Sequence, residues 1–180
     1  MRTYYVLAAD PKRSDLQSVT TYELGDVDLT PLWKGEPATD TLRSGWRLFV
    51  SSKLQPDLLG NPLNLMIVSD RVLAVMQRFV PEEDLQVISL PIFNLTTKEA
   101  VSGFSLINPL RMIKALSPDS GDGRPMVDRL MIKDSLVPRD VHLFRLAERP
   151  ICLLISQELF HGLAGQGFQG LMAIHTRTVA

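Results

Sequence analysis

The sequence has little of what metal, redox and nucleic-acid sites require. Its one cysteine, Cys152, cannot form a disulfide within the chain, which favours a reducing compartment. The histidines His142, His161 and His175 stand far apart, and neither HExxH nor paired CxxC spacing occurs, so we expect no metal site. Nineteen basic residues face 20 acidic ones, without the basic excess typical of nucleic-acid-binding proteins. We therefore expect no nucleic-acid partner.

Long hydrophobic runs are also missing. No apolar run approaches the roughly 18 residues that a membrane span needs. The apolar stretch at residues 4–9 is shorter than a signal-peptide core and is followed directly by Asp10-Pro11. The content of 45% hydrophobic and 22% charged residues is that of an ordinary globular domain. We expect a folded cytoplasmic protein with no membrane partner.

What the chain does contain is a series of short apolar segments separated by turns. We expect one domain over residues 1–180, with a loop-rich part at 1–62, where proline and glycine are frequent, and a more regular part at 63–180. Runs of β-branched, aromatic and other apolar residues predict strands at 3–8, 19–24, 46–51, 65–68, 85–90, 101–107, 130–133, 141–146, 151–155 and 168–175.

Two segments have the pattern of a strand followed by a capped helix and another strand. Ser69 is the expected N-cap of the first helix, which Pro81 closes, and Ser156 is the expected N-cap of the second. This similarity indicates either an internal duplication or two independent strand-to-helix turns. Asn108-Pro109 predicts a further short helix through Leu116. Because strands and helices do not alternate regularly, we predict an α+β fold with a mainly antiparallel or mixed sheet of at least six strands and two or three short helices.

The search for catalytic residues yields none that we would assign. Cys152 lies in an apolar run, where burial makes a thiol inert, unless His142 or His175 reaches it across the sheet. That exception defines the alternative of a hydrolase-type enzyme built from distant residues. The glycines at 162–167 follow a predicted helix, whereas phosphate-binding loops precede one. We expect no catalytic residue and no cofactor.

Two acidic clusters are candidate partner-binding sites. They comprise Glu82, Glu83 and Asp84 in one turn, and Asp119 with Asp122 in a loop. Exposed carboxylates of this kind could meet a basic protein surface, where complementary charge speeds association. Ordinary solvated turns are the alternative interpretation.

A set of structural motifs extends over residues 130–174. It includes a strand at 130–133, a turn at Pro138, His142-Leu143-Phe144-Arg145-Leu146, an apolar strand ending in Ser156, and Gly170-Leu171. In this pattern the chain resembles the immunity-eleven proteins, a family found beside polymorphic toxins in bacteria. The resemblance implies a protein that binds a cognate toxin domain and has no catalytic residues to carry over. The net charge of −1 departs from the strongly acidic surface expected of many immunity proteins. A module that binds a small ligand is a further alternative.

Overall fold

The computed structural model describes residues 1–38, 45–120 and 129–180. These residues form thirteen strands and three α-helices, and the α+β prediction is confirmed. The helices are α1 (Thr30–Lys34), α2 (Asp70–Met76) and α3 (Gln157–Ala164). The strands are β1 (Tyr4–Ala9), β2 (Val19–Glu23), β3 (Arg47–Val50), β4 (Met66–Ser69), β5 (Leu85–Ser89), β6 (Ile92–Asn94), β7 (Phe104–Pro109), β8 (Met112–Ile113), β9 (Met131–Lys133), β10 (Leu143–Leu146), β11 (Arg149–Ser156), β12 (Leu171–His175) and β13 (Arg177–Val179).

The strands pair into four sheets. The largest has the order β12-β1-β11-β10-β8, in which only the β10–β8 pair is parallel. Two three-stranded sheets have the orders β2-β3-β6 and β4-β7-β5, and β13 pairs with β9. The pairs β3–β6 and β13–β9 are also parallel, and the remaining pairs are antiparallel, in agreement with the predicted mainly antiparallel or mixed pairing.

The two strand–helix–strand segments form units of the same topology. In the first, β4 and β5 flank β7, and in the second, β11 and β12 flank β1, with antiparallel pairing throughout. Both predicted caps are confirmed, because the Oγ atoms of Ser69 and Ser156 accept hydrogen bonds from the N–H groups of Val72 and Leu159. Helices α2 and α3 contact each other. The units differ in chain order, since β7 follows its unit and β1 precedes the other.

The predicted helix after Asn108 is wrong. Residues 104–109 form strand β7, and Met112–Ile113 form β8. Asn108 is 1% exposed, and its side chain donates to the Glu36 carbonyl instead of capping a helix. The Pro109 carbonyl accepts a hydrogen bond from Arg145. Tertiary hydrogen bonds therefore outweigh the local helix signal at this position.

Besides β8, three elements of the described residues were not predicted from the sequence. They are α1, β6 and β13. Helix α1 has five residues and β6 and β13 have three each, so each is too short for hydrophobic periodicity to show. Their position is set by partners distant in sequence, such as the pairing of β13 with β9.

The helices of this fold are short. The α3 helix has eight residues, whereas a bilayer span needs about 20. Throughout the described ranges, no helix has the length and apolar character needed to cross a membrane.

The buried side chains form three clusters. One surrounds Trp46 and Leu48, a second lies where α2 and α3 cover the sheets, and a third surrounds Tyr4 and Phe144. The rings of Tyr4 and Phe144 pack edge to face with their centroids 5.8 Å apart. The second cluster contains residues of both strand–helix–strand units, and the helices thereby hold the two units together.

Candidate functional site

The first acidic cluster forms a 3-10 turn, Glu82–Asp84, between α2 and β5. Glu82 and Glu83 are exposed, and within the described part of the chain neither has an ion-pair partner. The Asp84 carboxylate lies 3.9 Å from Arg111 Nη1, and the Asp84 backbone carbonyl accepts a hydrogen bond from the Leu110 N–H. The turn is thus anchored to the β7–β8 connection while its first two carboxylates face solvent.

A surface groove borders this acidic turn. Its lining includes Glu82, Val80, Leu85, Val87 and Leu110, and its volume is about 680 Å³. Val87 is 40% exposed although it is a large apolar side chain within a strand. An apolar surface with charged groups at its rim is the usual composition of a protein-binding site, in which the apolar part supplies affinity and the rim supplies steering.

The second acidic cluster does not join the first. Asp119 is exposed in the short 3-10 turn Pro118–Ser120, and its carboxylate lies 3.4 Å from Ser117 Oγ. In the described ranges no hydrogen bond or ion pair connects Asp119 with residues 82–84. Asp122 lies outside the described residues. Glu82, Glu83 and Asp84 thus share one turn, and Asp119 lies in a different one.

Cys152 and the histidines do not form a nucleophile–base pair. Cys152 is 4% exposed on β11, and burial raises the pKa of its thiol. His142 lies beside Ser156, with Nδ1 2.9 Å from Oγ, and Ser156 is four residues along β11 from Cys152, or about 13 Å at the usual strand rise. The His175 ring packs against Tyr5 instead. Among the described residues, no group of three or more His, Cys, Asp or Glu side chains could hold a metal ion.

Ser156, His142 and Glu158 lie close together, in an arrangement that has the composition of a catalytic triad. However, His142 Nδ1 is the atom nearest to both partners, 2.9 Å from Ser156 Oγ and 4.0 Å from Glu158 Oε2. In a triad, the base uses one ring nitrogen for the nucleophile and the other for the acid. Ser156 has φ −70°, an ordinary extended conformation, and its Oγ accepts the Leu159 N–H. In this cluster Ser156 therefore caps a helix, and the three side chains are not arranged as the nucleophile, base and acid of a triad.

Arg145 is a buried cation whose setting the sequence did not reveal. It lies on β10 and is 6% exposed. Nε donates to the Pro109 carbonyl at 2.9 Å, Nη1 to the Pro150 carbonyl at 2.7 Å, and Nη2 to Asn108 Oδ1 at 3.2 Å. Within the described part of the chain no carboxylate pairs with it, and burial lowers its pKa to about 10. The sequence contained one sign of this buried setting, because Arg145 is a charged residue within an otherwise apolar strand.

A cavity of about 300 Å³ lies beside Arg145. Its apolar walls come mainly from β1, β7 and β11, and include Leu7, Ile107 and Leu153. Polar groups also line it: Arg145, Arg149, Asn61, Asn64 and Asn108. A mostly apolar cavity with a few converging polar groups has the composition of a small-molecule site.

In comparison with known proteins, the chain matches no family model and no curated protein.

Proposed function

We propose that this protein binds and neutralises a bacterial toxin domain by protein–protein contact, as an immunity protein in the cytoplasm of the cell that makes the toxin. The observation that carries the proposal is the acidic turn at Glu82–Asp84 beside a surface groove in which the apolar side chain of Val87 is exposed. The resemblance of residues 130–174 to the immunity-eleven family supplies the class of partner.

The groove and the turn have different roles in this proposal. The exposed side chain of Val87 in the groove provides apolar surface that a partner removes from water, which favours binding. Glu82 and Glu83 lie at the rim, where they favour a partner surface rich in lysine and arginine. Because the net charge is only −1, this attraction is local to the turn.

The test is co-purification with the toxin domain encoded by the neighbouring gene, together with survival of cells that express that domain. We expect a complex and protection of the cells. The double variant Glu82→Lys and Glu83→Lys should weaken binding by about tenfold or more, since each reversed charge meets like charge across the interface. The matched control is Asp26→Lys with Asp140→Lys, which makes the same charge change at exposed acids outside the groove.

Two outcomes would contradict different parts of the proposal. Absence of both a complex and protection would exclude the immunity function. A complex that both double variants form as tightly as the unaltered chain does would place the binding surface elsewhere on the molecule.

A further inference from the structure

The charge on Arg145 has only neutral acceptors around it. A guanidinium has five N–H donors, and three of them reach the Pro109 carbonyl, the Pro150 carbonyl and the Asn108 amide oxygen. The other two, one on each Nη, have no acceptor among residues 1–38, 45–120 and 129–180. A buried charge without a counter-ion is costly, and it is tolerated mainly where it serves a function.

None of the described residues supplies a carboxylate to Arg145, and a cavity lies beside its guanidinium. Arg145 lines the cavity, and Arg149 contributes a second positive side chain to the same lining. Asn64 also lines it and is itself exposed, so the cavity extends to the surface of the protein. We propose that this cavity binds a small amphipathic carboxylate, with its carboxylate against Arg145 and its apolar body against the walls of β1, β7 and β11.

The composition of the walls selects this ligand class. Cations are disfavoured because the buried guanidinium of Arg145 lines the cavity and, among the described residues, no acidic side chain does. A phosphate carries more charge and loses more hydration in apolar surroundings than a carboxylate does. Planar guanidinium and carboxylate groups also match in geometry. At about 30 Å³ for each water-sized group, the volume of about 300 Å³ accommodates a ligand of about ten non-hydrogen atoms.

The test uses three probes and the isolated full chain in calorimetric titration. Octanoate has the expected size and charge, octanamide has the same shape without the charge, and inorganic phosphate has charge without the apolar body. We expect octanoate to bind with one-to-one stoichiometry and at least tenfold more tightly than octanamide, and phosphate to bind more weakly than octanoate. Because no toxin is present, the result is independent of the proposed immunity function.

Two variants and one control variant locate the binding. Asn64→Asp adds a negative charge at the cavity with little change in shape. The backbone of Asn64 has a left-handed φ of 54°, a conformation that aspartate also tolerates. It should weaken octanoate binding at least threefold and leave octanamide unchanged. Gln166→Glu makes the same charge change at an exposed residue outside the cavity and should change neither. If it folds, Arg145→Met should abolish the preference for octanoate over octanamide.

The opposite results would overturn the proposal. These are no octanoate binding, equal affinity for octanoate and octanamide in the unaltered chain, tighter binding of phosphate than of octanoate, or equal octanoate affinity in the Asn64→Asp and Gln166→Glu variants. The Asn64→Asp comparison does not depend on removing Arg145, so the proposal stays testable if Arg145→Met does not fold.

Discussion

Replacing Gly35 with alanine tests how tightly Arg145 is held. Gly35 ends α1 with φ 71°, a left-handed conformation that costs an alanine about 1 kcal/mol. A Cβ built on Gly35 would lie 2.7 Å from Arg145 Cδ and 3.0 Å from Nε. Contacts this short require the Arg145 side chain or the backbone to move.

The Arg145 side chain has little freedom to move away. Its guanidinium is held by three hydrogen bonds, to the Pro109 and Pro150 carbonyls and to Asn108. Overpacking against a fixed neighbour costs about 1–3 kcal/mol. Added to the backbone cost, Gly35→Ala should lower the free energy of unfolding by about 2–4 kcal/mol.

Gly167 supplies the matched control. It has a similar φ of 66°, but a Cβ there would meet nothing within 4 Å. Gly167→Ala should therefore cost only the backbone part, about 1 kcal/mol. Urea unfolding of both variants measures the difference, provided that the denaturant slopes agree. Equal losses in the two variants would refute the inference that Arg145 is packed immovably against Gly35.

Two further predictions concern the polar side chains of Ser156 and Asp134. Ser156→Ala removes the cap on the Leu159 N–H and the hydrogen-bond partner of His142, so this variant should lower the free energy of unfolding by about 1–2 kcal/mol. Ser156→Thr should keep most of the stability that the alanine variant loses. Full stability of the alanine variant would contradict the capping role. Burial raises the pKa of Asp134, but hydrogen bonds from Arg2 and Tyr4 outweigh burial and hold that pKa below its ordinary value of 3.8. The Asp134 carboxylate therefore stabilises the fold above pH 3.8. This contribution disappears as the pH falls through the pKa that Asp134 has in the folded protein. Asp134→Asn should flatten that acid limb in pH-dependent unfolding, and an unchanged limb would exclude the contribution.

Parts of the fold that depend on near neighbours were predicted from the sequence. The caps at Ser69 and Ser156 were predicted correctly because each hydroxyl accepts from an N–H three residues ahead. The strands on either side were predicted from apolar runs that the sheets bury. The predicted helix N-cap at Asn108 was wrong, because the Asn108 side chain forms hydrogen bonds with Glu36 and Arg145 instead of with the backbone that follows it.

The candidate site was predicted in part. Glu82, Glu83 and Asp84 were proposed from the sequence as one acidic cluster, and they do share a turn. The groove beside them was not predicted, since it combines residues of the turn, β5 and the β7–β8 connection. Asp119 was proposed because it is an acidic residue in a loop, as residues 82–84 are. Composition alone gives no distance between two loops, so it could not predict whether the two acidic clusters lie together.

The sequence by itself determined the α+β class and the two capped helices, because these follow from periodicity and from hydrogen bonds within a few residues. The tertiary structure alone decided the setting of Arg145. Its partners Pro109 and Asn108 are 36 and 37 residues away along the chain, and Gly35 approaches it from α1. A local pattern shows that a charged residue lies in an apolar strand, but only the packing of distant segments decides whether that charge meets a carboxylate, a carbonyl or a cavity.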